Sequence, residues 1–194
     1  MGRQQLLEAI VADVARHGFA DRSLRDLATA VGSSHRMLHY HFGSREGLLE
    51  AIVIHQLDRA RDDDAELFDF TTDDDGLDAR WRRSTTPEER AFDLLFFELV
   101  AMAARGGEET ARFRAGYIEP WLQLSEHAAR RFGLDADASR ATTRLDVAVL
   151  VGLALDRLLT DDDAGVQAAF DTYAEMRRPS IERARAAARR HDGS

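Results

Sequence analysis

The chain has 194 residues, of which 44% are hydrophobic, and its 26 basic and 35 acidic side chains give a net charge of −9 at pH 7. That composition allows a sizeable apolar core and one compact unit, or a small head on a larger body. The absence of cysteine excludes disulfides, thiolate metal sites and thiol nucleophiles. The longest apolar run, Val147 to Leu155, is far short of the ~20 residues that span a bilayer. No charged start leads into an apolar stretch with a cleavage site, so a cytoplasmic protein with no membrane partner is expected.

Charge is unevenly spread. Residues 1–47 hold six arginines against five acids, for +1, while residues 48–194 hold 20 arginines against 30 acids, for −10. Four of the seven histidines also fall in the first segment. A near-neutral head on an acidic body suits a DNA reader whose body does not touch DNA. Every basic residue is arginine, which is read as coding bias.

Apolar residues recur at i, i+3, i+4 and i+7 nearly throughout, and no stretch has a period of two, so the expected class is all-α. The first helix is expected over Arg3 to His17, with Leu6, Leu7, Ile10, Val11 and Val14 inward and Gly18 ending it. Ser23 can cap a second helix whose Leu24, Leu27, Ala28 and Val31 share one face. Gly32 then ends it by accepting positive φ. A third helix is expected from Ser34 to Phe42, and after Gly43 a Ser44-capped fourth reaches about Phe68. Residues 69–86 are polar and aperiodic and read as a loop. Pro87 suits a first helical turn and opens a helix to about Ala104. Further helices are expected near 108–115, 118–132, 137–159, 163–177 and 180–190.

Residues 23–42, SLRDLATAVGSSHRMLHYHF, carry the strongest functional signal. Two short helices meet at a glycine-containing turn, and Leu24, Leu27, Val31 and Leu38 can form a small shared core. A second helix of this length with a polar face fits a DNA major groove about 12 Å wide.

On these residues the chain resembles the tetracycline-repressor (TetR) family. The matching string is Phe19, Ser23, Leu27-Ala28, Val31-Gly32, Ser34, Leu38, Tyr40-His41-Phe42, Gly43-Ser44, Arg45-Glu46 and Leu48-Leu49. The stretch Val147–Met176 is also similar to that family's last two helices. The family commonly has Tyr at the position of His39, often Thr at Met37, and Lys at Arg45. The resemblance implies a three-helix helix-turn-helix domain over 1–47 and a helical ligand-binding and dimerisation domain over 48–194. It implies a ligand-responsive regulator, a repressor rather than an enzyme, with no cofactor.

The expected DNA contacts are Ser34, His35, Arg36, His39 and Tyr40 on the exposed side of the third helix. Arg36 would fork onto guanine O6 and N7. Ser23, Tyr40, His41 and Arg45 would hold phosphates. Aromatic residues after Pro87 suggest a mostly apolar effector pocket from Phe92, Phe96, Met102, Tyr117 and Trp121, with Arg112 and Glu98 as polar members. The alternative for these rings is plain core packing.

A homodimer is expected through 137–159 and 163–177, because Val147 to Leu155 is apolar around nearly the whole helix. Val147, Leu150, Val151, Leu155, Phe170 and Tyr173 would form the seam, extended by Met176, with Gly152 allowing close approach. His35 and His39 stand at a metal-compatible i, i+4 spacing, but no Glu or Cys accompanies them, so no metal is expected. The Asp triplets at 62–64, 73–75 and 161–163 lack the alternating ligands of a calcium loop. The rival reading is an all-helical enzyme or carrier with a coincidental N-terminal pattern; sequence-specific DNA binding would favour the regulator, and turnover without DNA binding the rival.

Overall fold

The computed structural model describes residues 2–64 and 76–192. Among the described residues every regular element is helical. In chain order they are α1 (Arg3–His17), α2 (Leu24–Ala30), α3 (His35–Phe42), α4 (Arg45–Asp64) and α5 (Gly76–Ser84). There follow α6 (Pro87–Ala104), a 3₁₀ turn (Glu108–Thr110), α7 (Ala111–Gly116), α8 (Glu119–Phe132), α9 (Ala136–Thr160) and α10 (Asp163–Asp192). None of the described helices is long and apolar enough to cross a membrane.

The chain divides into two compact units, Met1–Arg59 with Pro87–Ala115, and Ala60–Thr86 with Gly116–Ser194. The first unit is built on the apolar faces foreseen for the early helices. Leu6, Leu7, Ile10 and Val14 of α1, Leu27 and Ala28 of α2, and Leu38 and Phe42 of α3 are all buried. Leu48, Leu49, Ile52 and Val53 of α4 and Leu95, Phe96 and Leu99 of α6 are buried as well. Caps fix the element starts. Ser23 Oγ accepts the Asp26 amide at 3.2 Å, Ser34 Oγ that of Met37 at 3.2 Å, and Ser44 Oγ that of Gly47 at 3.0 Å.

The turn from α3 to α4 needs glycine twice. Gly43 adopts φ +75°, a conformation that L side chains rarely take. Gly47 has ordinary dihedrals, but a Cβ there would run into the Phe42 carbonyl oxygen.

In the second unit α8 and α9 form a helical hairpin. Gly133 closes α8 in the left-handed region, and Asp135 starts α9 by accepting the Ala138 amide at 3.0 Å. Arg140 of α9 reaches back to Glu126 and, at 3.6 Å, to Glu119 of α8. The Arg140 hydrogen bond holds the Glu126 carboxyl below the ordinary range. Asp161, at φ +53°, turns the chain into α10.

Two sequence expectations are corrected here. The supposed loop 69–86 contains α5, whose Trp81 is buried, stacks on Phe170 of α10 at 4.6 Å and 7°, and donates to Gln167 Oε1 at 2.7 Å. Long-range contacts stabilise this short helix: Trp81 and Leu77 pack against the Val166–Phe170 cluster, and Arg157 donates to the Ser84 carbonyl at 2.6 Å. Residues 65–75, including the expected end of the fourth helix at Phe68, lie outside the described residues. The two expected helices at 163–177 and 180–190 are one helix, α10, which runs through Pro179. Proline removes one helical hydrogen bond, and the local polar groups regroup beside it: Ser180 Oγ donates to the Arg177 carbonyl at 2.8 Å.

Candidate nucleic-acid interface

The second half of the helix-turn-helix is a capped helix with a divided surface. Leu38 and Phe42, one turn apart, are buried under α3, whereas Ser34, His35, Arg36, Met37, His39 and Tyr40 are exposed. Tyr40 is 78% exposed. His35 and His39 lie parallel, 6.1 Å apart at 9°, as i, i+4 neighbours on a helix do. The face therefore presents a guanidinium, two imidazoles, a hydroxyl, a phenol and a thioether side by side. Those groups can donate to base acceptors and phosphates and make apolar contact with a thymine methyl. Met37, flagged in the sequence only as a departure from the family, belongs to this face.

The expected phosphate contacts fare differently. Ser23 Oγ is committed to its own helix start: it accepts the Asp26 amide and donates to Asp26 Oδ2 at 2.6 Å. These hydrogen bonds hold the Asp26 carboxyl below its usual range, so a negative charge already sits at the α2 N-terminus. His41 is half-buried, its ring edge-on to Tyr40 at 4.9 Å and to Phe42 at 6.2 Å, with Nε2 shielded from solvent.

Arg45 is engaged within its own unit. Its Nε donates to the Arg22 carbonyl at 3.1 Å, Nη2 to the Phe19 carbonyl at 3.3 Å and Nη1 to Glu98 Oε1 at 2.9 Å. The guanidinium also lies 4.2 Å over the Phe19 ring. Three of the five N–H groups of the fork are given to the α1–α2 connection and α6. Behind it, Arg22 ion-pairs with the buried Asp13 at 2.6 Å, and His17 Nδ1 lies 2.9 Å from the same carboxylate. Burial alone would raise Asp13, but the hydrogen bonds from Arg22 and His17 outweigh it and hold the carboxyl below its ordinary range.

The residues expected to line a pocket are divided between the two units. Phe92, Phe96, Met102 and Arg112 belong to the first, Tyr117 and Trp121 to the second. In the first unit Phe96 is buried and contacts three rings, Phe92 at 6.1 Å, Phe97 at 5.3 Å and Phe113 at 6.0 Å. Phe92, Phe97 and Met102 are half-buried, and Arg112 is exposed. Glu98 turns to Arg45. In the second unit burial pushes the Tyr117 phenol up.

Of the expected seam, Leu155 is exposed and Val147, Leu150 and Val151 are half-buried. Phe170 and Tyr173 are buried inside the second unit, because Trp81 covers the one and the Asp146 carboxylate accepts the hydroxyl of the other. Among the described residues of the second unit, the large apolar side chains left open are Leu145 (55%), Leu155 (39%) and Leu159 (76%) on α9, and Met176 (75%) on α10. With Ala148 and Gly152, both exposed, the α9 residues follow one another at i+3 and i+4 and form a single stripe.

Residues 6–52 match the family model described as bacterial regulatory proteins, tetR family. The HTH-type transcriptional repressor AcnR of Corynebacterium efficiens is 30% identical over 149 residues, 76% of this chain and 73% of that protein. The chain belongs to the TetR family. A TetR-family regulator from Rhodococcus sp. has the same fold, with a TM-score of 0.62 at 26% identity over 88% of this chain and 96% of that one. A second, from Pectobacterium atrosepticum, has a TM-score of 0.63 at 24% identity over 90% of each chain. As a TetR-family protein the chain has the helix-turn-helix and helical body that its sequence led us to expect, and it is a transcriptional regulator.

Proposed function

We propose that the chain is a repressor that binds a palindromic operator as a homodimer and is released by a mostly apolar small molecule. The observation that carries this is the exposed face of α3, where Ser34, His35, Arg36, Met37, His39 and Tyr40 stand free of the core on a helix short enough for the major groove. In this reading Arg36 reads guanine, Met37 meets a thymine methyl, and Tyr40 and the imidazoles share base and phosphate contacts. Residues 1–47 serve DNA, and residues 48–194 serve the effector and the second subunit. The name of the Corynebacterium relative, a transcriptional repressor, supports the direction of regulation. The half-buried Phe92, beside the buried Phe96, and the half-buried Met102 farther along α6 are the residues we assign to an apolar effector.

The experiment is selection of duplexes from a random-sequence pool by the full-length chain. The selected sites should be inverted repeats, since twofold protein symmetry calls for twofold DNA symmetry. Arg36→Ala should then weaken the selected duplex by about 10- to 100-fold and change the preferred base at one position of each half-site. Equal losses on selected and scrambled duplexes would remove Arg36 from base reading.

A further inference from the structure

Three separate segments meet on one guanidinium: the α1–α2 connection through the carbonyls of Phe19 and Arg22, α4 through Arg45 itself, and α6 through Glu98. Neither Arg45 nor Glu98 is on the helix-turn-helix proper, yet the carbonyl of Arg22 immediately precedes the Ser23 cap that starts it. One turn along α4, Glu50 Oε1 accepts the Phe113 amide at 3.0 Å, so the same helix is tied to α7 next to the phenylalanine cluster. Glu98 itself follows Phe96 and Phe97 in the sequence of α6.

We propose that the Arg45–Glu98 pair is a clamp that sets the position of the reading head on α6, so that Glu98 controls sequence-specific DNA binding without touching DNA. The argument is geometric. A guanidinium has five N–H groups in a rigid plane and can serve two carbonyls and a carboxylate at once, which an ammonium on a flexible stem cannot do in the same geometry. The cation over Phe19 adds a fourth attachment to the same connection. Without Glu98, α6 is no longer tied to the connection that leads into α2. The head can then shift relative to the helix on which it rests, and base edges must be met to within a fraction of an ångström whereas phosphates need only be near. Glu98 and Arg45 are positioning residues, and the inference rests on the DNA-binding reading above.

Electrostatics makes the test sharp. Removing a negative charge from a DNA-binding protein should leave its attraction to phosphates unchanged or raise it. The clamp requires the opposite. The probes are the duplex that the wild-type chain selects from a random pool and a scrambled duplex of equal length, with affinity measured over a range of salt. Glu98→Gln should lose about tenfold on the selected duplex and less than about twofold on the scrambled one, with an unchanged salt slope. Arg45→Lys, which keeps a charge fit for a phosphate, should lose affinity in the same selective way. The double variant should be no worse than the poorer single one, because the two changes break one device. Both side chains are partly exposed, so the variants are expected to fold, and circular dichroism at the assay temperature checks this.

If Glu98→Gln binds the selected duplex as the wild type does, the clamp is overturned. It is equally overturned if Arg45→Lys is silent while Arg45→Ala flattens the salt slope by one phosphate's worth, since Arg45 then holds DNA directly. Failure of the wild-type chain to select any duplex is a different result, which overturns the DNA-binding reading and takes the clamp with it.

Discussion

Gly152 offers a substitution whose effect on one subunit and on a pair of subunits should have opposite signs. It lies in the exposed apolar stripe of α9, and a Cβ added to it meets nothing within 4 Å. Gly152→Arg is therefore free of clash inside the subunit and replaces the poorest helix former but proline with a good one, a gain of roughly 0.8 kcal/mol in helix propensity. If the stripe from Leu145 to Leu159 pairs with its twofold copy, two guanidiniums arrive at the middle of the seam opposite each other. Each unpaired buried charge costs several kcal/mol. Even a net loss of about 3 kcal/mol raises the dimer dissociation constant by about 100-fold. Sedimentation velocity at micromolar concentration should find the wild type dimeric and Gly152→Arg monomeric, with the same helical circular dichroism. The wild-type melting temperature should rise with protein concentration and that of the variant should not. A variant that sediments and dissociates like the wild type would refute the reasoning, and the seam would have to lie elsewhere.

Three further outcomes are expected. Trp81→Ala should destabilise the unit containing α5 by about 3–5 kcal/mol, read by thermal unfolding; a loss under 1 kcal/mol would mean that the stack on Phe170 matters little. Gly47→Ala should force the α3–α4 junction away from the Phe42 carbonyl, at about 1–3 kcal/mol, and impair the selected duplex more than a scrambled one. Asp13 has a folded-state pKa below its unfolded one, so its contribution is present above about pH 4 and is lost as pH falls through the folded value. Asp13→Asn should accordingly be less stable than wild type at pH 7, by about 1–3 kcal/mol. Its melting temperature should also fall less steeply under acid, and parallel pH profiles would exclude Asp13 as the titrating group.

What was legible in the sequence was what local chemistry decides. Ser23, Ser34 and Ser44 announce three helix starts because a hydroxyl accepting the third amide along is a short-range event, and Gly32 and Gly43 mark the turns by their positive φ. The exposed face of α3 was foreseen for Ser34, His35, Arg36, His39 and Tyr40, opposite the core residue Leu38. The misses share a different cause. α5 offers only Leu77 and Trp81 as large apolar residues, and the contacts that hold it come from distant positions, Val166, Gln167 and Phe170 on α10 and Arg157 on α9. The intramolecular partners of Arg45 were not legible because two of its three acceptors are main-chain carbonyls, which any residue supplies, and the third is a glutamate 53 positions away. Phe170 and Tyr173 were assigned to the seam because an apolar residue does not declare which neighbour covers it. Trp81 and Asp146 decide that question in three dimensions.

The first unit also bears on how such regulators exchange parts. Its residues come from two stretches of the chain, Met1–Arg59 and Pro87–Ala115, and its core includes Leu48, Leu49, Ile52 and Val53 after the helix-turn-helix and Leu95, Phe96 and Leu99 from α6. A cut after residue 47 would strand that apolar surface in water and sever the Arg45–Glu98 pair's hold on the head from the outset. The DNA specificity of this protein is thus not a detachable cassette. A graft onto another body that keeps this unit whole needs junctions on both stretches rather than one.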